Sequence, residues 1–291
     1  MDIKAILMGL GFAAMWSSAF TSARIIVEFA PPLTALACRF LVSGLIGIVI
    51  AKALGQNMNL TRRQWRGVLI FGLCQNALYL GMNFVAMQTI QASLAAIIAS
   101  TMPLLVGLAG WLFMGQKLRP LGVAGLTAGF IGVTIIMWGR LTGGVDVFGL
   151  ALLILGVISL TIATLAVMGA SSGGNVLMIV GLQMLVGSAI LWGPALAFES
   201  FDIAWNWQLI VAFIYTTLVP GLLATWVWFM LVGRIGAVKA STFHFLNPFF
   251  GVAIAAALLG EKLGGDDVLG VIIIAGGILA VQMSKQPVTN R

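Results

Sequence analysis

The sequence predicts an all-α membrane protein: ten transmembrane helices, arranged as two inverted five-helix repeats with both termini on the cytoplasmic side. Three observations lead there. First, 61% of the 291 residues are hydrophobic and only 8% are charged, where soluble domains carry about 25% charged residues. Such a chain cannot cover a water-facing surface. Second, apolar runs of about twenty residues recur along its whole length, enough for helices that cross a bilayer while satisfying their own backbone hydrogen bonds. The alternating segments of an outer-membrane barrel do not dominate. Third, the stretch "MPLLVGLAGWLFMGQK" at 102–117 is nearly rewritten as "NPFFGVAIAAALLGEK" at 247–262, which is 145 residues later.

In chain order the spans fall near 3–23, 32–52, 66–88, 91–114, 120–138, 148–168, 175–198, 208–232, 237–259 and 267–284. The first run lacks a convincing cleavage site and reads as a retained helix. Turn-formers separate the rest: "PP" at 31–32, "GQN" at 55–57, "TGG" at 142–144, "SSGGN" at 171–175 and "GG" at 264–265. No loop is long enough for a soluble domain. Cys38 and Cys74 fall inside apolar spans and read as small buried hydrophobes without a disulfide framework. Spans 5 and 10 carry "GVAGLTAGFIG" and "GVIIIAGG". Gly125 and Gly129 form a small-xxx-small face that packs inside the protomer or makes a dimer contact; a monomer is expected, with a homodimer left open.

The net charge of +7 does not point to nucleic acid, because the basic residues sit in short loops and not on one soluble face. They orient the bundle instead. With the N-terminus inside, the cytoplasmic side holds Lys4, Lys52, Arg62, Arg63, Arg66, Lys117, Arg119, Arg234, Lys239, Lys285 and Arg291; the outer side holds Arg24, Arg140 and Lys262. Both termini are therefore expected inside. Trp65, Trp111, Trp138 and Trp192 fall near span ends as interfacial belt residues, and the 7–8 connection with Glu199, Asp202, Trp205 and Trp207 reads as outer interface.

Sliding the chain by 145 residues aligns Ala95 with Ala240, Pro103 with Pro248, Gly115 with Gly260, Lys117 with Lys262, Gly125 with Gly270 and Gly132 with Gly277. The repeat is half the chain: residues 1–145 and 146–291, five spans each. Five is odd, so the second copy enters the bilayer from the opposite side. Inverted repeats of this kind typify secondary transporters, whose site lies near the midplane between the repeats. Pro103 and Pro248 fall within spans 4 and 9, each freeing a backbone carbonyl that neighbours must satisfy. Gly115 and Gly260 end the helices, and Lys117 and Lys262 suit the negative C-terminal dipole. Gln116 and Glu261 are expected to cap or brace the following loop.

With this pattern the chain resembles the drug/metabolite transporter superfamily, EamA-type branch. The resemblance rests on two five-span halves, on Trp16 with small neighbours and Phe20 in "MWSSAF", on "PPLTALACRF" opening span 2, and on Pro…Gly-Glu/Gln-Lys ending spans 4 and 9. It covers essentially the whole chain. Ser17 stands where a Gly is usual, Gln116 replaces a Glu, and the 6–7 loop has no basic residue. The resemblance implies export or exchange of small polar metabolites, with amino acids, including aromatic ones, prominent among them, in the inner membrane of a bacterium.

Several polar or aromatic residues inside the spans are candidate solute contacts. Asn76, Tyr79 and Asn83 share one α-helical face of span 3; such a stripe lines a path or makes interhelical hydrogen bonds. The repeat shift makes Trp228 a better cavity candidate than Trp226, with an interface role equally open. Pro220 beside Gly221 kinks span 8 or acts as a hinge, and no site role is given to Pro220. In span 9, Ser241, His244 and Pro248 share a face, with Asn247 adjacent. His244 is the only histidine; it contacts solute, takes up a proton, or packs neutral. Arg39 is a possible partner for a solute carboxylate, or snorkels to the interface. Trp16 stacks an aromatic or cationic solute or simply packs.

The eight acidic residues all map to termini, loops or span ends, so no carboxylate sits mid-membrane as proton relays usually require. There is no Walker-type loop for ATP. No catalytic residue, metal or cofactor is expected; the partners are a small-molecule solute and the lipid bilayer. The reading is alternating access, as facilitated diffusion or exchange, with aromatic amino acids the favoured solutes. A multidrug or other metabolite exporter of the same fold is the alternative, followed by a passive channel or scaffold. "GASSG" at 169–173 matches the nucleophile pattern G-x-S-x-G around Ser171, but a short loop offers no strand-to-helix elbow, and we expect no enzyme.

Overall fold

The structure is a computed structural model that describes residues 3–113, 115, 119–167, 174–235, 240 and 242–284. The expectations for Gln116, Lys117, Ser171, Lys239, Ser241, Lys285 and Arg291 lie outside the described residues. Among those described there is no strand. Ten helical stretches follow the predicted order: α1 Ile3–Phe29, α2 Pro32–Ala53, α3 Arg62–Ala86, α4 Ala92–Phe113, α5 Pro120–Thr142, α6 Val147–Val167, α7 Val176–Phe198, α8 from Trp207–Thr216 through Ala224–Ile235, α9 Asn247–Leu259 and α10 Gly265–Ser284. Nine of the described helices are long and apolar enough to cross a membrane; α9 with its leading turn is the shorter tenth.

Several helix ends differ from expectation, and two of them have a clear local reason. α1 continues past residue 23 to Phe29, because nothing breaks it before Pro31 and Pro32. Arg24 is thereby helical: it pairs with Glu28 one turn on at 3.5 Å and donates to the carbonyls of Met87 and Gln88. α3 starts four residues early because Thr61 and Gln64 form a reciprocal capping box.

The irregular backbone repeats. α3 contains a π-helical segment, Gly72–Tyr79, and α8 contains another, Thr217–Leu223; their first residues are 145 positions apart. Pro103 and Pro248 lie within spans 4 and 9, as expected, but not in the interior of an unbroken helix. Each falls in the first turn of a helical segment, after a break at Thr101 in α4 and after a 3-10 turn, Thr242–Leu246, before α9. There a missing N–H costs least. Near the first break, the hydroxyls of Ser100 and Thr101 donate to the carbonyls of Ala96 and Ile98. Gly115 and Gly260 both take φ of 65°, the left-handed conformation that glycine adopts without strain.

The chain forms two compact units, each drawing on both halves of the sequence. The first comprises Met1–Thr21, Gln91–Val147 and Ala224–Arg291. In it α5 and α10 cross antiparallel through glycine. A Cβ on Gly125 would sit 2.7 Å from the Gly277 carbonyl oxygen, and one on Gly132 would sit 2.9 Å from that of Gly270. Since the repeat relates Gly125 to Gly270 and Gly132 to Gly277, the partners are exchanged, as across a two-fold axis. Glu261 accepts from the backbone N–H groups of Ala92 and Ser93 at 2.7 and 3.0 Å. It therefore caps α4 from the other repeat, not the loop that follows it, because the start of a helix presents unpaired N–H groups and a positive dipole end.

The second unit comprises Ser22–Ile90 and Phe148–Leu223. Here α2 and α7 run antiparallel, with Gly181 against Gly44 and Gly47, and the Ser188 hydroxyl donating to the Ala37 carbonyl. Glu199 takes three hydrogen bonds, from Leu33 N, Thr34 N and Thr34 Oγ1, at 2.7–2.8 Å. Gln56 answers it by accepting from Met178 N at the start of α7. Leu33 and Met178 are again 145 apart. Each copy of the repeat thus supplies the cap for the other copy's second helix.

Candidate functional site

The first unit holds a cluster of four rings. Phe12 lies one turn before Trp16 on α1, and their ring centroids are 5.7 Å apart. Phe12 also meets Trp228 of α8 at 4.8 Å and His244 edge-on at 5.4 Å, and Trp228 meets His244 at 5.1 Å. The sequence reading found Trp16, Trp228 and His244 but missed Phe12, which joins them; its i,i+4 spacing to Trp16 was the available signal. Trp228 is partly buried, whereas Trp226 is 51% exposed.

The polar end of the cluster follows from the 3-10 turn. With three residues per turn, side chains three apart eclipse, so His244 stands over Asn247 and their side chains meet at 3.0 Å between Nδ1 and Nδ2. An α-helical period would have set His244 over Pro248 instead. An amide N–H only donates, so in this orientation Nδ1 is the acceptor of the contact. Asn247 Oδ1 is buried with no hydrogen-bond partner. Ser17 fixes the same turn by donating to the Asn247 carbonyl at 3.1 Å.

The second unit holds the other candidates, and they do not form one stripe. Asn76, Tyr79 and Asn83 are 3%, 2% and 1% exposed. The wider turn of the π segment rotates Asn76 away from the other two. Asn76 faces α7: its Nδ2 donates to the Gln183 carbonyl at 2.9 Å, and it packs where Gly187 leaves room. Asn83 donates to the Tyr79 carbonyl one turn back, and both lie against Gly156 of α6. Ser159 of α6 donates to the Cys74 carbonyl within the π segment. Asn83 Oδ1 is buried without a partner. Arg39 lies in α2, buried, with its guanidinium 5.3 Å from the Phe40 ring centroid.

A family model described as the EamA-like transporter family matches the chain twice, over residues 3–138 and 147–283. The chain is similar to "Uncharacterized transporter YvbV" of Bacillus subtilis, 26% identical over 94% of this chain and 89% of that protein. It is similar to "Uncharacterized inner membrane transporter YedA" of Escherichia coli, 26% identical over 93% and 88%, and to "Protein PecM" of Dickeya dadantii, 23% identical over 89% and 86%. A solved crystal structure superposes with a TM-score of 0.69 at 19% identity, covering 97% of this chain and 99% of the other, which speaks for the fold. The duplicated match falls on the two halves whose helices, caps and π segments correspond. The chain is an integral multi-pass membrane protein, and it belongs to the EamA-like transporter family, of the drug/metabolite transporter type.

Proposed function

We propose that the chain is a secondary transporter that exports or exchanges small metabolites across a bacterial inner membrane by alternating access, with aromatic amino acids the favoured solutes. The observation that supports this best is the ring cluster of Phe12, Trp16, Trp228 and His244, closed at one end by the unpartnered Asn247 Oδ1. Rings at such separations bind another ring by offset or edge contacts. A free amide oxygen at the margin accepts a hydrogen bond from an ammonium or amide. Together they suit a solute with an aromatic body and a polar end. No carboxylate lies near the middle of any span, which leaves the solute gradient, an exchanged solute or protonation of His244 as the drive, and facilitated diffusion or exchange is the favoured reading.

The test is counterflow of labelled phenylalanine in liposomes holding the purified protein. Saturable flux stimulated by unlabelled phenylalanine on the far side is expected, reduced about tenfold or more in Trp228→Ala and His244→Ala. Unsaturable flux would make the protein a channel. Wild-type rate and selectivity in both variants, and in Tyr79→Ala, would remove the site assignment. Accumulation that requires an imposed pH gradient would replace uncoupled transport with proton coupling.

A further inference from the structure

We propose that Arg39 and Ser43 of α2, with Gly221 of α8, form a binding site for a carboxylate group of the transported solute; the inference rests on the transporter reading above. Arg39 is seven residues past the start of α2 at Pro32, about 10 Å along the helix. It is only 6% exposed, so it does not snorkel into water. Its Nε is buried without a partner, and among the described residues it has no carboxylate or hydrogen-bond partner. Ser43, one turn further on, is fully buried, and its hydroxyl is also unpartnered.

These two donors converge. A Cβ added to Gly221 would come within 3.6 Å of Ser43 Oγ and 3.7 Å of Arg39 Nη2, with the Thr216 carbonyl oxygen nearer at 3.2 Å, so both donors lie beside the bare face of this glycine. Gly221 lies in the π segment of α8, directly after Pro220. A buried cation whose Nε–H has no partner is unfavourable, and an acceptor anion would relieve it. Its fork matches a carboxylate bidentately, and the serine O–H supplies a third donor. One cation and one neutral hydroxyl balance a single negative charge. A phosphate dianion would be left in excess. The ring contact with Phe40 supplies no acceptor for these N–H groups.

The test uses the purified protein in phosphatidylcholine nanodiscs and follows thermal denaturation in two comparisons. One sets sodium acetate against sodium chloride at equal ionic strength, and the other sets phenylpropionate against phenethylamine. Carboxylates are expected to stabilise the wild type, with phenylpropionate binding about tenfold more tightly than phenethylamine. Arg39→Gln abolishes this preference and Ser43→Ala weakens it. If Arg39→Gln gives no folded protein, Arg39→Lys and Gly221→Ala serve instead: the first keeps the charge without the fork, the second fills the space with a methyl group. Both are expected to lose most of the preference.

The proposal is overturned if no carboxylate stabilises the wild type, or if the folded variants keep its preference. It is equally overturned if phosphatidylglycerol in the disc reproduces the Arg39-dependent stabilisation while free carboxylates have no effect, since the anion is then a lipid headgroup. Arg39-dependent carboxylate binding without phenylalanine counterflow leaves this site standing and removes phenylalanine as the solute. Counterflow indifferent to Arg39 does the reverse.

Discussion

Phe12 contributes no polar atom, yet three other rings touch it. Replacing it with leucine keeps an apolar side chain and removes three ring contacts, each worth about 0.5–1.5 kcal/mol. Phe12→Leu is therefore expected to loosen Trp16, Trp228 and His244 together, read as a shift in tryptophan emission alongside slower phenylalanine counterflow. Ser17→Ala should matter less: it removes one hydrogen bond to the Asn247 carbonyl, worth about 0.6 kcal/mol inside a membrane protein, measurable by unfolding in detergent mixtures. Residue type made His244, Trp16 and Arg39 stand out in the sequence, since an ionisable or interfacial side chain inside an apolar span is rare. Phe12 had no such mark among 17 phenylalanines. The split between Asn76 and Asn83 was illegible for another reason: their faces were assigned with an α-helical period, and the π segment changes that period between them.

At the level of elements, the caps and the glycine crossing decide which helices hold together. Glu261 holds the first two N–H groups of α4 from 168 and 169 residues away. Glu261→Ala is expected to destabilise the protein by about 0.5–2 kcal/mol, the usual effect of losing an N-terminal cap, and Glu261→Gln by less, because an amide keeps an acceptor oxygen. Thermal denaturation in detergent would rank them. At the crossing of α5 and α10, Gly277→Ala places a methyl group 2.6 Å from the Gly125 carbonyl oxygen, while Gly276→Ala meets nothing within 4 Å. The first is expected to lower the denaturation midpoint sharply and the second to leave it unchanged or raise it slightly. The glycines and helix-ending turns were legible because they sit in register across the repeat. The destinations of Glu261 and Glu199 were not, since a cap reaching across a long stretch of chain leaves no local spacing behind.

At the level of the whole molecule, equivalent helices of the two copies run antiparallel where they meet, α2 against α7 and α5 against α10. An odd number of spans per copy produces this arrangement. The basic residues give the absolute sense. In a chain with Cys38 and Cys74 replaced by alanine, Ser200→Cys should react with a membrane-impermeant maleimide from outside intact cells, and Asn57→Cys only after permeabilisation. The reverse pattern would invert the orientation. The exchanged glycines of α5 and α10 carry one more consequence. Each copy keeps half of a lock whose key is the other copy's half, so a break in the polypeptide at residues 143–146 removes a tether and not a fit. The two fragments, made separately in one cell, are expected to find each other and rebuild a working carrier.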